Sequence, residues 1–102
     1  MLTLEELKKW LGISGEGSDT LLSSLITAAD ADLRAKAGDY SILSEGFQET
    51  AKLYMKYWIG VTYADRFGEM SNKERAAISG FMSNTVFLLR QAIGEAKDET
   101  DT

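Results

Sequence analysis

The chain contains no cysteine, no histidine and no proline, and each absence removes a class of explanation. Without thiolate or imidazole there is no disulfide framework and no zinc site of the usual ligand type. The Ser-His-Asp and Cys-His nucleophile systems lack the base that would activate them. Without proline the common markers of rigid turns are missing, and helices are free to run long. No stretch approaches the ~18 apolar residues of a membrane span, and the early acids Glu5 and Glu6 do not fit a signal peptide. A basic stripe is missing too. With 11 basic against 16 acidic residues the net charge is −5, a poor balance for wrapping nucleic acid, which depends on Lys and Arg displacing counterions.

What is present suits a single globular domain. The 102 residues are 44% apolar, enough for one core, and nine glycines supply the punctuation. Much of the negative charge is local. Residues 95–102 hold four acids (Glu95, Asp98, Glu99, Asp101) against one base, Lys97, so −3 of the −5 sits there. The reading is a helical domain over 1–97 followed by an acidic, flexible tail over 98–102.

Apolar residues recur at helical spacing through the chain, and no stretch alternates with a period of two. Thr3-Leu4-Glu5-Glu6 forms a capping box that opens a short amphipathic helix carrying Leu4, Leu7 and Leu11. Gly12 is placed to end it in a left-handed cap, and 13–17 is a loop. Ser18 or Asp19 starts a second helix of about 18–20 residues, with Leu22, Leu25, Ile26, Ala29, Leu33 and Ala37 on one face and Gly38 as its stop. After a loop at 39–45, a third helix runs to about Phe67. Its main stripe is Phe47, Ala51, Tyr54, Met55, Trp58, Val61 and Asp65, and Leu53, Tyr57, Ala64 and Phe67 form a flanking one. A helix apolar around most of its circumference is central, or carries a subunit interface on one side. Gly60 within it points to close approach of a neighbouring helix. The last segment, led by Ser71-Asn72-Lys73-Glu74, reads as one kinked helix or two, with a break near 79–84. Val86, Leu89, Ala92, Ile93 and Ala96 line its firmer part. The expected fold is all-α, a single compact domain of four to five helices with the third long and central.

No arrangement of residues supports catalysis, a metal or a cofactor. Asp30 and Asp32 are two apart on a helix, so they diverge by about 200° and read as a solvated face. The Gly12–Gly17 loop follows no strand, lacks the Lys-Ser/Thr ending of a phosphate cradle, and carries Glu16. The aromatic series Tyr54, Tyr57, Trp58, Tyr63 and Phe67 has no interleaved arginines, as a base-stacking platform would. Core packing accounts for Tyr54 and Trp58, leaving Tyr57 and Phe67 as candidate subunit-interface residues. Arg66 either complements the helix dipole or pairs with a neighbouring copy.

Three stretches carry a family resemblance: Leu2-Thr3-Leu4-Glu5-Glu6-Leu7-Lys8-Lys9-Trp10-Leu11-Gly12-Ile13; the helix with Leu21-Leu22, Leu25-Ile26 and Ala28-Ala29; and Trp58 followed by Tyr63-Ala64-Asp65-Arg66. In this order and spacing they resemble the gp6-like head–tail connector (DNA-packaging adaptor) proteins of long-tailed phages and prophages. The family often carries a proline before its last helix, where this chain has Ser79-Gly80-Phe81. The resemblance implies a structural protomer, not an enzyme, forming a ring of neighbouring copies under the portal protein. It would meet the next tail-completion or stopper protein, and DNA would pass through the channel without specific binding or any membrane contact. Its place would be the virion head–tail junction, and the host cytoplasm during assembly. Interface candidates are then Tyr57, Phe67 and Arg66, with Lys97, Asp98, Glu99 and Asp101 as a portal-docking tail.

Two other readings compete. A small helical DNA-binding regulator, or a terminase small-subunit-like protein, would use the 79–84 break as the turn of a helix-turn-helix. Asp19-Thr20-Leu21 also resembles the attachment site of acyl carriers, with threonine where they use serine.

Overall fold

The computed structural model describes residues 2–63 and 72–100. They form four α-helices and one short 3-10 turn: α1 (Leu4–Leu11), α2 (Asp19–Ala37), the turn Tyr40–Ile42, α3 (Glu45–Tyr63) and α4 (Asn72–Thr100). The fold is all-α, and no strand occurs among the described residues.

Local chemistry sets the first boundaries. Thr3 takes the extended conformation of an N-cap, its hydroxyl accepts from the Glu6 N–H at 3.2 Å, and Glu6 accepts from the Thr3 backbone N–H at 3.2 Å. Both halves of the capping box therefore exist. Gly12 closes α1 with φ 73°, a left-handed conformation that glycine enters without steric cost. Ser18 precedes α2 without a side-chain cap. The first residue of that helix, Asp19, instead accepts from the Lys8 ammonium at 2.8 Å, which ties α1 to α2 across the intervening loop. Lys8 also donates to the Gly15 carbonyl within that loop.

The inner face of α2 came out as its periodicity implied. Leu22, Ala29 and Leu33 are fully buried, Ile26 and Ala37 nearly so, and Leu25 packs at the margin. α3 touches α1, α2, α4 and the 3-10 turn, so the third helix is central. Its buried face differs from the expected stripe. Ala51, Tyr54, Met55 and Ile59 are buried and Trp58 is partly so, whereas Phe47 and Val61 are exposed. Ile59 and Val61 lie two residues apart, about 200° around the helix, so only one can face the core. Ile59 continues the four-residue row from Ala51 and Met55 and takes that place. Gly60 is buried, while Ala64, Asp65 and Phe67 lie outside the described residues.

α4 is one continuous helix through Asn72–Thr100, so there is no break at 79–84. Gly80, Ser83 and Asn84 are exposed, and their weak helix propensity is felt only on the outer face. The inner face holds the helix through that stretch, with Thr85, Leu89 and Ile93 buried and Met82, Val86, Ala92 and Ala96 packed at the edge. The first three residues of the 98–102 tail continue α4 as helix.

Tyr57, late in α3, meets Phe81 early in α4 at 5.4 Å between ring centroids. Ile93, further along α4, lies against Gly38, just before α3 begins. These two contacts make α4 antiparallel to α3. At 1.5 Å per residue its 29 residues make about 43 Å of helix, most of the 49 Å long axis of the molecule. The radius of gyration, 14.7 Å, exceeds the roughly 13 Å of a spherical domain this size for the same reason.

Candidate functional site

Among the described residues no three His, Cys, Asp or Glu side chains gather as metal ligands. None of their helices is long and apolar enough to cross a membrane. Chemistry therefore has to be sought in the polar clusters and on the surface.

The most developed polar cluster joins α2 to the 3-10 turn. Tyr40 is buried, a core residue the 39–45 loop gave no sign of, and its hydroxyl donates to Asp30. Arg34 bonds Asp30 at 3.0 Å and Asp39 at 2.6 Å, and its guanidinium lies 4.7 Å above the Tyr40 ring. Asp39 accepts from the backbone N–H and hydroxyl of Ser41, capping the turn. Those Ser41 bonds, with Arg34 beside them, hold the Asp39 carboxyl below its ordinary value. On the other side of α2, Asp32 accepts from the Tyr54 hydroxyl at 2.8 Å and pairs with Lys36 at 3.2 Å.

Asp30 and Asp32 do diverge around the helix, but they are not a solvated face. Each is half-buried and receives one tyrosine from a neighbouring element. Burial, and next the bond to Asp30, pushes the Tyr40 phenol up to about 12. Burial and Asp32 likewise raise Tyr54. The bonds of Asp30 to Tyr40, Asp32 to Tyr54 and Arg34 to Asp39 hold neighbouring elements to α2. No buried side-chain donor or acceptor among the described residues lacks a partner.

Tyr57 is half-buried within the protomer, edge-on between Trp10 of α1 (5.8 Å, 86°) and Phe81 of α4 (5.4 Å, 74°). It thus joins three helices as well as reaching the surface. Phe67 and Arg66 lie outside the described residues, as does Asp101. Lys97 and Asp98 are exposed on the closing turns of α4, and Glu99 is part of the same helix.

The structure also exposes large apolar residues, of which periodicity had placed Val61 on the main stripe of α3 and had not singled out Phe87 or Leu88. Phe87 is 66% and Leu88 51% exposed on α4, and Val61 is 60% exposed on α3. For Phe87 the signal was available: two residues before the buried Leu89, it must point the opposite way. Single exposed apolar residues are ordinary on a protein surface, and the adjacent Phe87 and Leu88 are candidates for a contact surface. From Ala76 to Gly94 the exposed residues of α4 carry a single charge, Arg90. Among the described residues no group of three His, Cys, Asp or Glu offers a metal site, and the exposed face of α4 over that stretch is largely uncharged.

Comparison with known proteins agrees in kind. The family model described as "Phage gp6-like head-tail connector protein" matches residues 1–96, from the capping box to the last packed turn of α4. No curated protein and no solved structure matches the chain.

Proposed function

From the premise that the chain belongs to the phage gp6-like head–tail connector family, a family of structural proteins of the head–tail junction, we propose that it forms a ring under the portal. In this role the ring extends the DNA channel and gives the next tail-completion or stopper protein a platform. The observation that carries the reading is the extent of the family match. Residues 1–96 take in α1, α2, α3, most of α4 and the buried core among the described residues, so the likeness extends across the fold.

The physical properties support it. A ring requires two different surfaces that meet head to tail and close, and the exposed apolar residues on α3 and α4 supply candidates. A channel wall drawn from a protein of net charge −5 would offer few phosphate-binding groups and let DNA slide. The acidic stretch with Lys97, Asp98, Glu99 and Asp101 is available to dock on a portal, with Tyr57, Phe67 and Arg66 toward neighbouring copies. Assembly would take place in the host cytoplasm. The helix-turn-helix alternative loses its basis, because 79–84 is continuous helix and provides no turn.

Co-expression with the affinity-tagged portal of the same genome tests the role. The chain should co-purify with the portal in a fixed ratio and withstand salt that strips DNA. Recovery of a properly assembled portal without it would contradict the reading. A companion chain with Asp98, Glu99 and Asp101 replaced by lysine should lose the portal; unchanged docking would remove the tail from the account.

A further inference from the structure

We infer that α4 is built of two units of unequal stability: its first part, up to Phe81, opens from the bundle as an arm while the part from Thr85 onward stays docked. The helix is continuous, but its packing is not. On the far side of the division, Thr85, Leu89 and Ile93 are buried at four-residue steps. From Ala76 to Phe81 no residue is buried. Ala76, Ala77, Ser79 and Gly80 are exposed, and Ile78 and Phe81 are half-buried. Local opening is easiest where few apolar contacts are lost and where water already surrounds the helix, and this segment meets both conditions.

The residue types act in the same direction. Ala76 and Ala77 keep the arm helical when it is closed, but Ser79, Gly80, Ser83 and Asn84 are poor helix formers, glycine disfavouring the helix about fivefold relative to alanine. A Cβ at Gly80 would meet nothing within 4 Å beyond its own helix, so no close neighbour requires the glycine there. Glycine–serine pairs are also common places for helices to bend. Ser79-Gly80 lies within the arm, and Ser83-Asn84 lies at its base, between the half-buried Met82 and the buried Thr85. The arm rests on α3 through Phe81, edge-on to Tyr57 at 5.4 Å and 74°. Opening breaks that contact and uncovers the Tyr57 ring on that side, while Trp10 flanks it from α1 at 5.8 Å.

Hydrogen exchange of the full chain, followed residue by residue by NMR, tests the division. Amides 78–82 lie beyond the first turn of α4, where the helix places an acceptor four residues back, so fast exchange there reports opening. They should exchange at least about a hundredfold faster than amides 89–93. Gly80→Ala should slow them about fivefold. Ile93→Val separates two units from one, and is mild enough to keep the fold. It should speed amides 89–93 roughly two- to tenfold and leave 78–82 unchanged, because an open arm leaves the buried Ile93 in place. Equal protection of the two stretches would overturn the division, as would equal acceleration of both by Ile93→Val. Exchange of 78–82 that ignores Gly80→Ala would overturn it too.

Discussion

Tyr40 and Tyr54 hold the polar side of the core together, and both do so through an aspartate on α2. Their phenols are raised above the ordinary 10.0, by burial first and by the carboxylate second. A raised folded value means that the protonated form is favoured by folding. The stabilisation is complete below pH 10 and is lost as the pH rises through the folded value, about 12 for Tyr40. Helicity followed by circular dichroism alongside tyrosinate absorbance should therefore show a late ionisation phase that coincides with unfolding. Ordinary titration of all four tyrosines with helicity intact would contradict the assignment. On the acid side the sign reverses. The lowered carboxyls of Asp39 and Glu6 stabilise the fold at neutral pH, and that contribution fades as the pH falls through their folded values. Removing one hydroxyl isolates a single bond: Tyr54→Phe should cost about 1.5–3 kcal/mol in urea denaturation, the range for hydrogen bonds to a charged acceptor.

At the scale of the helices, glycine means opposite things in different places. Gly38 ends α2 at φ 106° and ψ −167°, a region other residues rarely enter, and a Cβ there would sit 3.4 Å from Ile93. Gly38→Ala should destabilise by about 1–3 kcal/mol. Gly80 lies inside α4 with open space around any added Cβ, so Gly80→Ala should stabilise by about 0.5–1 kcal/mol. Urea midpoints of the two variants should move in opposite directions. The same contrast explains what was legible. The ends of α1 and α2 could be read because their signals are local: Thr3 and Glu6 cap each other, and Gly12 and Gly38 stop the chain. The continuity of α4 could not, because Gly80, Ser83 and Asn84 argue for a break, while Met82, Thr85 and Leu89 hold the helix by packing against residues distant in sequence. Ile59 was missed for a related reason. Val61 satisfied the same spacing rule from Trp58, and only the positions of α2 and α4 decide which of the two is covered.

For the whole molecule, three helices pack around α3, with α1 fastened by Lys8 to Asp19 and by Glu6 to Lys52 at 3.4 Å. The class of the fold and most of its core follow from periodicity. The surface is harder to read, since exposure is set by where neighbours are missing. Of the expected contact residues, Tyr57 turned out to bridge Trp10 and Phe81 within the protomer. Phe87 and Leu88, which no spacing rule had brought forward, stand in solvent. Leu33, fully buried in the C-terminal half of α2, gauges the integrity of this core. Leu33→Ala should cost about 2–5 kcal/mol, enough to unfold much of a domain whose total stability is of the order of 5–15 kcal/mol.

The role at the head–tail junction is tested most directly by electron cryomicroscopy of the portal purified with this chain. A closed ring of four-helix protomers capping one end of the portal, with its channel continuous with the portal's, is the expected result. An intact portal with both ends bare, at saturating concentrations of the chain, would contradict it.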